Sequence, residues 1–370
     1  MDHARPIELK TLTSLRFFAA MLVVLTHTMP LWLAGDYNRL PFLIKNVVDA
    51  GIVAVPFFFT LSGFVLYYVY GKDGAHRDLG RFYQRRLVRI APAAYLGIAL
   101  GVLAWANTPG RDPGILLAIA SHAFFLSAWL PSTLFLNFPA WSLSGEVFFY
   151  LGFPWAARMA GRLSLKYVYL SALALYLLCA LGFKLVFLRW PELSAWPWKY
   201  PLPDPTLSLF FQVNPFVHIA EFLWGVLLAR FNELNPRSGT RGDWWLAAGI
   251  TLSFAVLQFP RALPYLVLNS FLLLPFFSLV LLGGAGRRSR YSRWLESSFC
   301  LKLGEASFAL YILHMPLRDL VLHSPIGKMA VSGWGLEVCF CLVVVLCSLV
   351  VHQIYEYPLR AKVNQAFKKI

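Results

Sequence analysis

The chain has 370 residues, 58% of them hydrophobic and only 14% charged, and a mean hydropathy of +0.60. Soluble domains carry about 25% charged residues, so the composition excludes an ordinary soluble protein and marks a polytopic membrane protein. The net charge of +15 sits mostly in short loops between apolar runs, where it is a topology signal and not a nucleic-acid surface. The five cysteines lie in or beside apolar runs without the spacing of a disulfide framework or a metal site. The start Met1-Asp2-His3-Ala4-Arg5-Pro6 leads into an apolar run with no small-residue cleavage site, so no removed signal peptide is expected.

In chain order, apolar segments fall at about 12–33, 51–70, 90–107, 114–130, 139–157, 167–188, 215–231, 244–259, 264–284, 302–322 and 334–355. The loop at 71–91 is rich in arginine, the loops around Arg162, Arg237 and Arg288 are basic, and so is the tail with Arg360, Lys362, Lys368 and Lys369. Positive loops belong on the cytoplasmic side. Only an even number of crossings fits between the first two of these loops, yet three apolar segments lie there. The segment 114–130, bounded by Pro113-Gly114 and Pro131, is therefore expected to be re-entrant or interfacial. The expected fold is all-α: a membrane bundle of about ten transmembrane helices plus that segment. Residues 1–370 form one domain with no appended soluble unit and both termini inside. The Pro-rich stretch 191–205 reads as an ordered external loop.

Polar residues inside membrane spans mark interior sites. In the first span Arg16 and His27 are eleven residues apart, about three helical turns, so both point to one face roughly 16 Å apart. In the second, Ser62-Gly63 interrupts a Phe-rich run, as close helix packing would require. Arg81, Arg85 and Arg89 fall at i, i+4 and i+8 with Arg86 beside them. They form either a positive-inside anchor or a polyphosphate cradle, and guanidinium forks suit phosphate oxygens. Trp141-Ser142-Leu143-Ser144-Gly145-Glu146 brings a carboxylate into the fifth segment, where the expected topology lets Glu146 meet His27 and fix its tautomer. Ser307, Tyr311 and His314 share one face ahead of Pro316, which should kink the helix and free carbonyls for a site. His218 and Glu221 can pair at i, i+3, and Tyr355–Arg360 reads as structural.

These motifs together resemble the membrane-bound acyltransferase 3 family. The likeness rests on Arg16 with ten residues before His27, Leu61-Ser62-Gly63-Phe64, Arg85-Arg86-x-x-Arg89-Ile90-x-Pro92, Trp141-Ser142-Leu143-Ser144 with Glu146 and Tyr150, and Tyr311-x-x-His314. They stand in family order over nearly the whole chain. The resemblance implies an integral protein of the bacterial cytoplasmic (inner) membrane. It would transfer an acyl group, usually acetyl, from cytoplasmic acetyl-CoA or another acyl-CoA to a hydroxyl of an envelope glycan, without a metal. Its surroundings would be membrane lipid, a glycan acceptor, which can be lipid-linked, and polysaccharide assembly machinery. On this reading Arg81, Arg85, Arg86 and Arg89 hold the CoA phosphates. His27 is the general base or an acyl-carrying nucleophile, and Glu146 orients it. Arg16 stabilises the oxyanion or contacts the donor phosphates. Trp141, Ser142, Ser144, Tyr311, His314 and Ser62 line the acceptor side. The competing class is a proton-coupled glycan exporter with Arg16, His27 and Glu146 as relay, against which stands the absence of an inverted repeat.

Overall fold

The computed structural model describes residues 9–72, 74–194, 205–236, 241–286, 292–324 and 333–366. Pro197, Pro201 and Pro203 of the expected external loop lie outside them, as do Arg237, Arg287, Arg288, Arg290, Lys368 and Lys369 of the basic loops and tail. All regular structure among the described residues is helical. The elements are α1 (Lys10–Trp32), α2 (Phe42–Asp49), α3 (Ala54–Tyr70), α4 (Gly74–Arg77), α5 (Leu79–Asn107) and α6 (Ile115–Ala123). After them come α7 (Trp141–Gly161), α8 (Leu165–Arg189), α9 (Pro205–Val213), α10 (Ile219–Leu234), α11 (Arg241–Leu257), α12 (Tyr265–Leu268) and α13 (Leu274–Gly284). Last are α14 (Ser298–His323), α15 (Trp334–Val351), a π turn (His352–Glu356) and α16 (Tyr357–Ala366).

Each of the eleven apolar segments carries one main helix. Among the described residues, five helices are long and apolar enough to cross a bilayer by themselves: α1, α3 with its preceding turn, α5, α8, and α15 with its continuation. Helix α6 has nine residues, about 14 Å, too short for a hydrocarbon core of about 30 Å. Helix α6 is not alone in this: the segment 264–284, expected to span, is divided into α12 of four residues and α13 of eleven, so helix length does not by itself single out 114–130. One expectation needs correction. Residues 79–91 are not loop: α5 starts at Leu79, because the Asp78 side chain caps it by accepting from the Arg81 backbone amide at 2.9 Å. Pro92 lies inside the helix.

Glycine sets the closest helix contacts. A Cβ at Gly63 of α3 would run into the carbonyl of Phe222, and one at Gly225 of α10 into that of Thr60. Small residues allow this approach where apolar bulk gives no net drive in lipid. The same device joins α1 to α14, where a Cβ at Gly304 would meet the Thr13 carbonyl. The Ser14 hydroxyl also donates to the Leu295 carbonyl at 2.5 Å. Farther along, His27 meets His314. Low numbers meet low and high meet high, so α1 and α14 run parallel. Helix α15 is antiparallel to α1, since Thr28 bonds Glu337 and the Gly333 amide bonds the Trp32 carbonyl. We call the end where α1, α5 and α14 begin the arginine end, and the other the histidine end.

Gly225→Ala is expected to destabilise the bundle by about 1–3 kcal/mol, the usual cost of overpacking. Gly182→Ala on α8, with nothing within 4 Å of the added Cβ, should be neutral or slightly stabilising because alanine favours helix. Thermal unfolding of the two variants in the same detergent checks the difference in sign.

Candidate active site

The register of α1 against α14 brings two imidazoles edge to edge. The His27 and His314 ring centroids are 5.2 Å apart with planes 13° from parallel, and His27 Nδ1 lies 3.0 Å from His314 Nε2. His314 Nδ1 is 2.7 Å from the Tyr311 carbonyl. A carbonyl only accepts, so that contact assigns the His314 proton to Nδ1. With both rings neutral, His314 Nε2 is then an acceptor and His27 Nδ1 must donate to it. The remaining nitrogen, His27 Nε2, is left with a lone pair. His314 is fully buried while His27 is half-buried, so only the second ring presents a working edge. Arg318, one turn beyond His314, donates to the His27 carbonyl at 3.3 Å and is itself paired with Asp319 at 2.7 Å.

A cavity of about 450 Å³ opens beside this pair toward the arginine end. Leu9 just before α1, Thr13 and Arg16 of α1, Ser62 of α3, Arg89 of α5, Ser142 and Glu146 of α7, and Glu305, Ser307 and Tyr311 of α14 line it. His352 and Arg360, beyond α15, complete the wall. Its lining stops at Tyr311, whose ring centroid is 6.1 Å from that of His314. The Tyr311 hydroxyl donates to the Pro139 carbonyl at 3.3 Å, which also accepts from Ser142 at 2.9 Å. Tyr311 therefore stands between the cavity and the histidine pair. Among the described residues the Arg16 and Arg89 guanidinium groups have no hydrogen-bond or salt-bridge partner. A cation left unpaired inside an apolar bundle is costly unless a ligand or water completes it.

The candidate residues separate into groups. Arg16, Arg89, Glu146, Ser62, Ser142 and Tyr311 meet in the cavity. His27 and His314 meet each other. Glu146 does not orient His27: its carboxylate accepts from the Tyr150 hydroxyl one turn along α7, and His314 takes the orienting place. The arginine stripe is divided, because its members face different neighbours on one continuous helix. Arg81 pairs with Asp78 at 3.3 Å at the surface, and Arg85 is exposed. Arg86 donates to the Tyr70 hydroxyl at 3.2 Å and lies over its ring; of the four, only Arg89 lines the cavity. Trp141 is buried against His218, itself bonded to Glu221 at 3.0 Å. Ser144 holds the loop before α7, with its Oγ 3.1 Å from that of Ser127. Neither Trp141 nor Ser144 lines the cavity. Pro316 frees the Ile312 carbonyl as expected, but Asn137 Nδ2 occupies it at 3.1 Å, so it serves packing and not a ligand. Sequence reading missed Glu305, His352 and Arg360, whose signal was the i, i+4, i+8 spacing of His352, Glu356 and Arg360.

Acyltransferase MdmB of Streptomyces mycarofaciens is 25% identical, over 96% of this chain and 92% of its own length. No solved structure gives a match. The sequence model of the acyltransferase 3 family, described as an acyltransferase domain, matches residues 9–353. That range takes in Arg16 and His27 on α1, Arg89 on α5, Glu146 on α7 and the Tyr311–His314 turn of α14, and this chain belongs to the acyltransferase 3 family.

Proposed function

We propose that the protein is an O-acyltransferase that moves an acetyl group from acetyl-CoA to a hydroxyl of a polysaccharide or lipid-linked glycan. The arginine end would face the cytoplasm of a bacterial inner membrane. The observation that carries this reading is His27 Nε2, a lone pair held in one tautomer by His314, one turn from an arginine-lined cavity. Acyl-CoA supplies the thioester carbonyl and the thiolate leaving group. The residues fit such a donor, since Arg16 and Arg89 offer unpartnered forks suited to phosphate oxygens.

His27 Nε2 takes the proton of the acceptor hydroxyl as its oxygen attacks the carbonyl. His314 accepts the Nδ1 hydrogen bond throughout, and so keeps the basic nitrogen toward the acceptor. His27 then returns the proton to the departing sulfur, and the products are an ester and a thiol. Arg16 sits about 16 Å along α1 from His27, too far to stabilise an oxyanion beside it, which leaves Arg16 the phosphate role. Tyr311 covers the inner end of the cavity and keeps water from the thioester.

His27→Ala should lower acetyl transfer by on the order of 10²- to 10⁴-fold, the worth of a general base, while donor binding persists. Incorporation of labelled acetyl into acceptor glycan by purified protein measures it, and full activity would remove His27 from the chemistry. His314→Leu should also lower the rate, by at least about 10-fold, because a misplaced tautomer costs up to on the order of 10⁴ in a serine-protease triad. His314→Gln, whose amide oxygen can accept from His27 Nδ1, should recover part of that loss; equal rates for the two variants would leave His314 only a packing role. For orientation, Ser132 is exposed at the histidine end. In a cysteine-free background, Ser132→Cys should react with an impermeant thiol reagent in intact cells. Reaction only after lysis would invert the proposed topology.

A further inference from the structure

The tail of the last span reads as structural in sequence, but it builds one wall of the cavity. Pro358 cannot donate to the carbonyl four residues back, and the chain widens into a π turn at His352–Glu356 before α16. The turn places His352, Glu356 and Arg360 together. Glu356 is fully buried, and its Oε2 accepts from His352 Nδ1 and from Arg360 Nη2, each at 3.0 Å. Arg360 Nη2 also donates to the Arg89 carbonyl at 2.8 Å. This ties the tail to the arginine on α5. Arg360 Nε is buried without a partner.

Three guanidinium groups, Arg16, Arg89 and Arg360, thus converge on one cavity. Two carboxylates share its lining, Glu146 and Glu305; Glu146 is engaged by Tyr150, and Glu305 lies 4.0 Å from His352 Nε2. The donors left over are the forks of Arg16 and Arg89 and the Nη1 of Arg360, whose Nη2 already serves Glu356 and the Arg89 carbonyl. We infer that Arg360, held by Glu356 across the π turn, completes with Arg16 and Arg89 a binding site for a diphosphate ester. This rests on the proposed function for naming that ester as the nucleotide part of acyl-CoA; the other source of the same chemistry is the diphosphate of a lipid-linked acceptor. Arg360 lies beyond the residues matched by the family, and the chemistry follows from the cavity alone.

The test is calorimetric binding to the full-length protein in detergent, with coenzyme A, inorganic pyrophosphate and farnesyl diphosphate as probes. Arg360→Lys preserves the charge beside Glu356, so the protein should fold, and unchanged thermal unfolding confirms that. The lysine loses the fork, and affinity for coenzyme A and pyrophosphate should fall about 10-fold, while affinity for pantetheine, which has no phosphate, stays constant. His352→Gln is the second variant, and a smaller loss is expected because His352 acts beside the arginine. If coenzyme A and pyrophosphate bind wild type and Arg360→Lys equally, the inference is overturned and the proposed function stands. If coenzyme A fails to bind wild type while pyrophosphate binds and is lost in the variant, the site stands and the acyl-CoA reading falls. Farnesyl diphosphate binding that is lost in the variant while coenzyme A binding is unaffected assigns the site to the lipid-linked acceptor and overturns its assignment to the donor.

Discussion

The parallel contact of α1 and α14 carries the rest of the site. Gly304 lets the two backbones touch at Thr13, and the Ser14 hydroxyl fixes the register by bonding the Leu295 carbonyl. At 1.5 Å per residue, a register fixed at that end determines which side chains meet at the other. The pair that meets is His27 and His314. A slip of one residue would turn the imidazoles apart by about 100°. The orienting hydrogen bond would be lost with that contact. The same two helices present Arg16 and Tyr311 to the cavity. One helix contact therefore sets both the basic nitrogen and the space from which a donor would approach it.

Around that contact several polar groups satisfy one another, as an environment without water favours, although buried atoms such as Asn137 Oδ1 and Glu337 Oε2 have no partner among the described residues. The Ile312 carbonyl freed by Pro316 receives Asn137, and the Tyr311 and Ser142 hydroxyls converge on the Pro139 carbonyl. Glu337, buried beside the first span, accepts from Thr28 at 2.9 Å. Against this background the unpartnered guanidinium groups of Arg16 and Arg89 are conspicuous. They share a single cavity that runs from the arginine end up to Tyr311, beside the histidine pair. A donor bound by its phosphates at one end and an acceptor approaching from the other would meet at the level of Tyr311, which divides the two compartments.

Much of this was legible in the residues. The apolar runs located the helices, and the run at 114–130 gives only the nine-residue α6, although the run at 264–284 is broken into short helices as well. The polar residues inside spans identified Arg16, His27, Glu146, Tyr311 and His314 individually. Their partners were not legible. Glu146 was matched with His27 because both fall in the same expected half of the bilayer, but depth does not fix azimuth, and Glu146 faces Arg16 and Tyr150 instead. The arginine stripe shares one helical face by spacing, yet only Arg89 lies deep enough on α5 to reach the cavity. Arg360 was read as structural because a π turn leaves no clear sign in sequence beyond the proline that provokes it.

The sequence by itself determined that the chain is a helical membrane protein, where its spans lie, and which polar groups must be buried in them. Those properties follow from hydrophobicity and helical period, which are local and add along the chain. Only the tertiary structure decided which buried groups touch. That depends on the rotation and register of one helix against another, set by glycines and hydroxyls whose contacts lie hundreds of residues away. Ser14 bonds a carbonyl 281 residues distant, and His27 bonds a ring 287 residues distant. Such contacts are fixed by the packing of the whole bundle, and no local pattern in the sequence encodes them.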